Sequence, residues 1–128
     1  MAGKTSKSSE NYLECILLLS GESEMVHRVD VARRMKVSQP AIQKAVHVLE
    51  DEGYVECEGM HIFLTPRGQE YAAYVYNRHC IIREFLEAHG VNFSDANDDA
   101  CEMEHIVSDA TFEMMETYVN ALHGRKKE

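Results

Sequence analysis

The pattern of helix starts and stops between residues 29 and 64 constrains the fold more than any other feature of this chain. Ser38 is a typical N-cap, and Pro40 falls in the first helical turn, where its missing N–H is not needed. Gly53 ends the apolar helical period, and Gly59 separates two short runs of strand-forming residues. The predicted elements are, in order, a helix over Val29–Met35, a turn at 36–38, a helix over Gln39–Asp51, and two strands at Tyr54–Cys57 and His61–Leu64.

Helix, turn, helix and hairpin in this order are typical of a winged helix-turn-helix, whose second helix enters the DNA major groove. Residues 28–44 hold five cations and one anion, whereas residues 76–128 hold five cations and eleven anions. We therefore expect the basic segment to contact a double-stranded DNA operator, although the same fold also serves as a protein-interaction module. The candidate DNA-binding residues are Arg28, Ser38, Gln39, Pro40, Gln43 and Lys44.

The flanking sequence predicts a mainly α protein, with a helical domain after the winged helix. Ser8 or Ser9 is predicted as the N-cap of a first helix that runs to Ser20-Gly21, and a long helix is predicted from Pro66 to about Glu87, with Gly90 as C-cap. Two more helices are predicted, one capped by Ser94 and running through Ile106, and one from Ser108-Asp109 to Gly124. The expected domains are 1–75 for DNA binding and 76–128 for metal binding and dimerisation. Because the second domain is too small for a core of its own, we expect a homodimer through the C-terminal helices.

Cys101, Glu104 and His105 have the spacing i, i+3 and i+4, which places them on one face of a helix. Sulfur, carboxylate oxygen and imidazole nitrogen together suit a transition metal better than calcium or magnesium. Such a face also arises by chance. Cys15 is an alternative extra ligand on the first helix, and packing is the favoured interpretation for it.

Several linked motifs then resemble one family. They are Glu10-Asn11-Tyr12-Leu13-Glu14, Val37-Ser38-Gln39-Pro40, Leu49-Glu50-Asp51-Glu52-Gly53-Tyr54-Val55, Leu64-Thr65-Pro66-Arg67-Gly68, Arg78-His79, and Ala100-Cys101-x-x-Glu104-His105-x-x-Ser108-Asp109. In this order they are similar to the diphtheria-toxin-repressor family, over nearly the whole chain. Because the chain stops after the dimerisation helices, it resembles the short manganese-transport-regulator branch, which lacks an SH3-like domain.

The resemblance implies a dimeric transcriptional repressor of metal-homeostasis genes with Fe(II) or Mn(II) as co-repressor. Its primary metal site corresponds to Asn11, Cys101, Glu104 and His105 in this chain. Glu14 and His79 match a second, neighbouring position that is able to share Glu104, so one or two ions per subunit are expected.

Three positions depart from the family pattern. Asn11 stands where manganese-responsive relatives have Asp and iron-responsive ones have Met, and Arg83 stands where many relatives have a carboxylate. Asn97 replaces a His that some iron-responsive relatives carry, so the second site is expected to be incomplete. The Cys101 thiolate favours Fe(II), with Mn(II) as the alternative, although affinity alone ranks Zn(II) above iron.

The remaining expectations concern location and competing functions. No apolar leader opens the chain, and the longest apolar run, Cys15–Leu19, is too short to span a membrane, so four reduced cysteines in the cytoplasm are expected. The alternative function is a winged-helix regulator that is metal-independent or senses redox state through its thiols. An enzyme is not expected, because the chain offers no convincing nucleophile or substrate cradle.

Overall fold

The computed structural model describes residues 6–127, and the side chains of residues 6–124. Residues 1–5 and Glu128 lie outside the described part. The expectation that no apolar leader opens the chain concerns residues 1–5. The chain folds as two compact units, unit 1 over Met1–Tyr74 and unit 2 over Val75–Glu128. The functional domain boundaries at 75 and 76 stay a prediction. Among residues 6–127, no helix combines the length and the apolar character that crossing a membrane requires.

Unit 1 is a winged helix-turn-helix, as the sequence predicts. Its elements are α1 (Lys7–Glu22), β1 (Val26–His27), α2 (Arg28–Met35), α3 (Gln39–Asp51), β2 (Val55–Glu58) and β3 (His61–Leu64). The bounds of α3 agree with the prediction because local signals set them: the Ser38 hydroxyl accepts a hydrogen bond from the Ala41 N–H, and Gly53 follows the helix with φ +83°.

Several details of unit 1 differ from the prediction. α1 ends at Glu22, α2 begins at Arg28 rather than Val29, and β2 lies one residue later than predicted, at Val55–Glu58. The N-cap of α1 is Ser6, whose hydroxyl accepts from the Ser9 N–H at 3.1 Å, so Ser8 and Ser9 lie inside the helix. The sheet also has a third strand, in the order β1-β3-β2, because β1 pairs antiparallel with β3 through Val26 and Ile62. A two-residue strand has no sequence period of its own, so its partner decides whether it forms.

The core of unit 1 lies where the three helices meet the sheet. Leu13 and Ile16 of α1, Ile42 and Leu49 of α3, and Ile62 of β3 are almost fully buried. The apolar stripe of α3 thus faces inward, which leaves its polar side for contact with a ligand.

α4 (Pro66–Ala88) begins in unit 1, directly after the hairpin. The Thr65 hydroxyl accepts from the Gly68 N–H at 3.0 Å and donates to the Gly53 carbonyl at 2.6 Å, which joins the start of α4 to the end of α3. A Cβ atom at Gly68 would lie 1.9 Å from the Tyr54 carbonyl oxygen. Only glycine fits this close approach of helix and strand backbone.

Unit 2 consists of the rest of α4 with α5 (Phe93–Met103) and α6 (Asp109–Lys127). Its core is small: Ile81 and Ile82 of α4 pack with Phe112, Met115 and Val119 of α6. Gly90 has φ +100° after α4, in agreement with its predicted role as C-cap.

Three helix ends in unit 2 were predicted wrongly. Asn92 caps α5, because its Oδ1 accepts from the Asp95 N–H at 2.8 Å, and Ser94 lies in the first turn. α5 ends at Met103 rather than Ile106, and α6 continues past Gly124 to Lys127. Both Asn and Ser are good caps, and the period alone does not choose between them.

Candidate metal centre

The imidazole ring of His79 is the centre of a buried polar cluster in unit 2. Its Nδ1 is 2.9 Å from Oε1 of Glu104, and the Cys101 Sγ lies 3.8 Å from the same nitrogen. The other ring nitrogen, Nε2, is 2.8 Å from Oδ1 of Asn97. α4 supplies His79, and α5 with the turn after it supplies the three partners. α5 and the turn after it therefore contact both edges of a ring that α4 carries.

Glu104 is the most deeply buried charged residue of this cluster, with 3% of its surface exposed. Its Oε1 is paired with His79, whereas Oε2 is buried and accepts no hydrogen bond from the part of the chain that the structure describes. A buried carboxylate oxygen without a donor is costly in a protein and is typical of a cation ligand.

His105 completes the cluster from the turn that follows α5. Its Nε2 lies 3.4 Å from Oε2 of Glu104, and 4% of its side chain is exposed. The sequence placed Cys101, Glu104 and His105 on one face of a helix, but only Cys101 is helical. The turn still brings all three side chains to His79 or to each other.

Arg78, which precedes His79 on α4, holds the backbone of that turn. Its guanidinium donates to the carbonyl of Glu104 from Nε at 3.1 Å and to the carbonyl of Val107 from Nη2 at 2.9 Å. The guanidinium also lies 4.7 Å from the centre of the Phe112 ring, and 7% of Arg78 is exposed. Arg78 thus fixes the position of Glu104 through its backbone carbonyl.

The cluster strongly favours the charged form of His79 when no ion is bound. The hydrogen bonds to Cys101 and to Glu104 raise the pKa of His79 from 6.5 to about 11, against the opposing effect of burial. A metal ion would have to displace this proton from Nδ1. The donor set of sulfur, nitrogen and oxygen, together with an Oε2 that accepts no hydrogen bond from the described residues, fits a divalent transition metal.

The predicted ligands of the first helix lie in unit 1. Asn11 and Glu14 are both half-buried on α1, one turn apart. Cys15 lies in the core of unit 1, and burial raises the pKa of its thiol to about 11. That environment agrees with the packing interpretation of Cys15, because a metal ligand must be a thiolate.

The predicted DNA-binding residues divide into two groups. Gln39, Pro40, Gln43 and Lys44 are exposed on the outer side of α3, and Ser38, also exposed, uses its hydroxyl to cap the helix. Arg28 is half-buried at the start of α2, where its backbone N–H donates to the carbonyl of Met60 at 3.1 Å.

Sequence reasoning missed the roles of two residues. Asn97 was considered only as a position that had lost a ligand, although it lies four residues before Cys101 and therefore shares its helix face. Arg78 was recognised only as part of a motif, and no sequence pattern predicts which carbonyls a buried guanidinium will reach.

The comparisons with known proteins agree with this architecture. Residues 4–61 match the N-terminal DNA binding domain of the iron dependent repressors, and residues 65–125 match their metal binding and dimerisation domain. The chain therefore belongs to the iron-dependent repressor family, a class of metal-dependent transcriptional repressors. The resemblance drawn from the motifs is confirmed, and so is the fold class.

Three relatives show which members of the family the chain is similar to. The chain is 34% identical over 120 residues to the transcriptional regulator MntR of Salmonella typhimurium, covering 93% of this chain and 76% of that protein. It is 29% identical over 104 residues to the diphtheria toxin repressor of Corynebacterium glutamicum, covering 80% and 46%. The solved structure of the manganese regulator SloR matches with a TM-score of 0.75 and 30% identity, covering 88% and 53%. The chain thus spans about half the length of these last two proteins.

Proposed function

We propose that this protein is a DNA-binding transcriptional repressor of metal-homeostasis genes that requires a divalent metal ion as co-repressor. The observation that carries the proposal is the buried cluster of His79, Cys101, Glu104 and His105, in a chain of the iron-dependent repressor family. Three kinds of donor atom, with one buried carboxylate oxygen that accepts no hydrogen bond from the described residues, suit a metal better than they suit a purely structural network. We further propose that the protein acts in the cytoplasm.

The residues proposed to hold the ion are the cluster in unit 2 together with Asn11 and Glu14 of α1. The assignment of the two α1 residues rests on the family resemblance. A bound divalent ion supplies positive charge that links ligands distant in sequence and replaces the protons they carry. His79 must lose its Nδ1 proton, and Glu104 offers its Oε2, which accepts no hydrogen bond from the described residues.

The ion is proposed to be Fe(II), with Mn(II) as the alternative, at one or two ions per subunit. The thiolate of Cys101 is a soft donor and favours iron over manganese. The manganese regulator SloR, at 30% identity, supports Mn(II) instead. Both ions are therefore compared in the experiment below.

The exposed side of α3 is proposed to read the operator, in a homodimer formed through the C-terminal helices. Gln39 and Gln43 carry amide groups of the kind that pair with adenine, and Lys44 adds a cation that can reach phosphate. A two-fold dimer would place two α3 helices on successive major grooves. Metal binding would then select the arrangement with the correct spacing.

The test is binding of the purified metal-free protein to a pool of duplex DNA under anaerobic conditions, with Fe(II), Mn(II), Zn(II) or chelator added in turn. We expect one ion to switch on sequence-selective binding. Glu104→Ala and His105→Ala should abolish the stimulation. The exposed His123, which pairs with Glu84 at 2.6 Å, provides the control variant His123→Ala, which should keep it.

One further result decides between the candidate functions, and a second tests the proposed DNA interface. DNA binding that ignores chelator but changes with peroxide would favour the thiol-redox alternative and contradict the proposal. Lys44→Ala should weaken binding to all sequences about equally and reduce the salt slope by about one, as expected for a phosphate contact. An unchanged salt slope would exclude Lys44 from the interface.

A further inference from the structure

One face of α5 contacts both nitrogens of the His79 ring. Asn97 and Cys101 are one helical turn apart, and they lie at Nε2 and at Nδ1 respectively. The contact of Asn97 with Nε2, at 2.8 Å, is shorter than the contacts of Nδ1 with Glu104 and Cys101. Because the Asn97 atom is a carbonyl oxygen, which only accepts, the ring must donate an N–H to it.

We propose that Asn97 is a positioning residue that keeps the proton on Nε2, so that His79 presents Nδ1 alone as its metal-binding nitrogen. The inference rests on the proposed metal-binding function. It also has a consequence for stoichiometry. An imidazole whose Nε2 carries a proton cannot bind a second ion through that nitrogen, so His79 contributes to one ion only.

The stacking contact of the ring does not achieve this selection. Tyr76 stacks on His79 with the ring centres 6.2 Å apart and the planes 10° apart. Stacking fixes the plane of the imidazole, but a half-turn about the Cβ–Cγ bond would keep that plane and exchange Nδ1 with Cδ2 and Nε2 with Cε1. Only edge contacts distinguish the two orientations, and Asn97 provides the one at Nε2, opposite Glu104 and Cys101.

The first experiment is NMR of the wild-type protein loaded with Zn(II), which is diamagnetic. Long-range 15N–1H correlation spectra distinguish a protonated ring nitrogen from a metal-bound one. We expect Nε2 of His79 to be protonated and Nδ1 to be metal-bound. A spectrum with Nε2 metal-bound would overturn the proposal, and this readout does not depend on whether any variant folds.

The second experiment compares variants by isothermal titration with Zn(II) and Mn(II). Asn97→Ala removes the acceptor and should weaken metal binding about 10- to 100-fold, the usual effect of losing the partner of a metal-binding His. Asn97→Asp keeps an acceptor and should stay within a few-fold of wild type. Asn120 is exposed on α6, so Asn120→Ala is the matched control and should leave the affinity unchanged.

The outcomes separate this inference from the proposed function. Wild-type affinity in Asn97→Ala, with Nδ1 still metal-bound, would overturn the positioning role alone. A wild-type protein that binds Zn(II) through Nδ1 but shows no metal-stimulated DNA binding would contradict the proposed function alone. Absence of any metal binding in the wild type would overturn both.

Discussion

Replacing Arg78 by Met should destabilise the protein strongly although it removes no metal ligand. Methionine keeps most of the apolar stem, so the change isolates the guanidinium. Two charged hydrogen bonds are lost, to the carbonyls of Glu104 at 3.1 Å and of Val107 at 2.9 Å. Each such bond contributes roughly 1.5–3 kcal/mol. The ion pair with Asp109, at 3.7 Å, adds little because the Asp109 side chain is 94% exposed.

The two hydrogen bonds therefore amount to about 3–6 kcal/mol, and relief of burying a cation offsets part of this. We expect the free energy of unfolding to fall by about 2–4 kcal/mol. Urea denaturation of the metal-free protein, followed by circular dichroism, measures it. Arg83→Met is the matched control, on the same helix. Its ion pairs with Glu84 and Glu87 are partly exposed, at 3.9 and 3.4 Å, so its effect should stay below about 1 kcal/mol.

The reasoning would be refuted if Arg78→Met and Arg83→Met lowered the free energy of unfolding equally. A second readout concerns the metal centre. Because Arg78 holds the backbone of Glu104, its loss should also weaken binding of Zn(II) under conditions where the variant is folded. Unchanged affinity in the folded variant would show that the turn keeps its shape without the guanidinium.

Three further predictions concern backbone fit, metal preference and pH. Gly68→Ala should lower the melting temperature sharply, because its Cβ would lie 1.9 Å from the Tyr54 carbonyl oxygen. The control Gly21→Ala, whose Cβ would have nothing within 4 Å, should be neutral or stabilising. Equal changes in melting temperature would contradict the prediction. Cys101→Glu should raise the affinity for Mn(II) relative to Zn(II) in competition titrations, and an unchanged ratio would show that sulfur does not select the ion. The raised pKa of His79 stabilises the metal-free fold fully below pH 6.5, and this contribution is lost as pH rises toward about 11. Metal affinity should instead fall as pH decreases, by about tenfold per pH unit for each proton that the metal displaces. Metal titrations at several pH values measure this dependence, and an affinity that does not change with pH would contradict the prediction.

Local sequence signals determined the parts of the fold that depend on neighbouring residues. Ser38, Pro40 and Gly53 delimit α3 because caps, proline and positive φ act within a few residues. The helical period then identified the buried side of α3, including Ile42 and Leu49. Linked motifs allowed the family to be recognised, and with it the ligand types expected at the metal centre.

Signals that compete locally were not resolved by the sequence. Asn92 and Ser94 are both good caps of α5, and only the structure shows that Asn92 makes the hydrogen bond. The strand β1 was missed because two residues carry no periodicity, and pairing with β3 is what defines it.

The sequence by itself thus determined the order of the elements, the winged helix-turn-helix and the chemical types of donor in the cluster. Only the tertiary structure decided how the donors meet: α5 stops before Glu104, and the turn that carries Glu104 is held by Arg78 from another helix. Likewise, the sequence showed Asn97 only as a position without a metal ligand, whereas the packing of α4 against α5 makes it the hydrogen-bond partner of His79. The physical reason is that caps and periods act over a few residues, whereas the contacts of a buried side chain depend on groups 18 to 29 residues away.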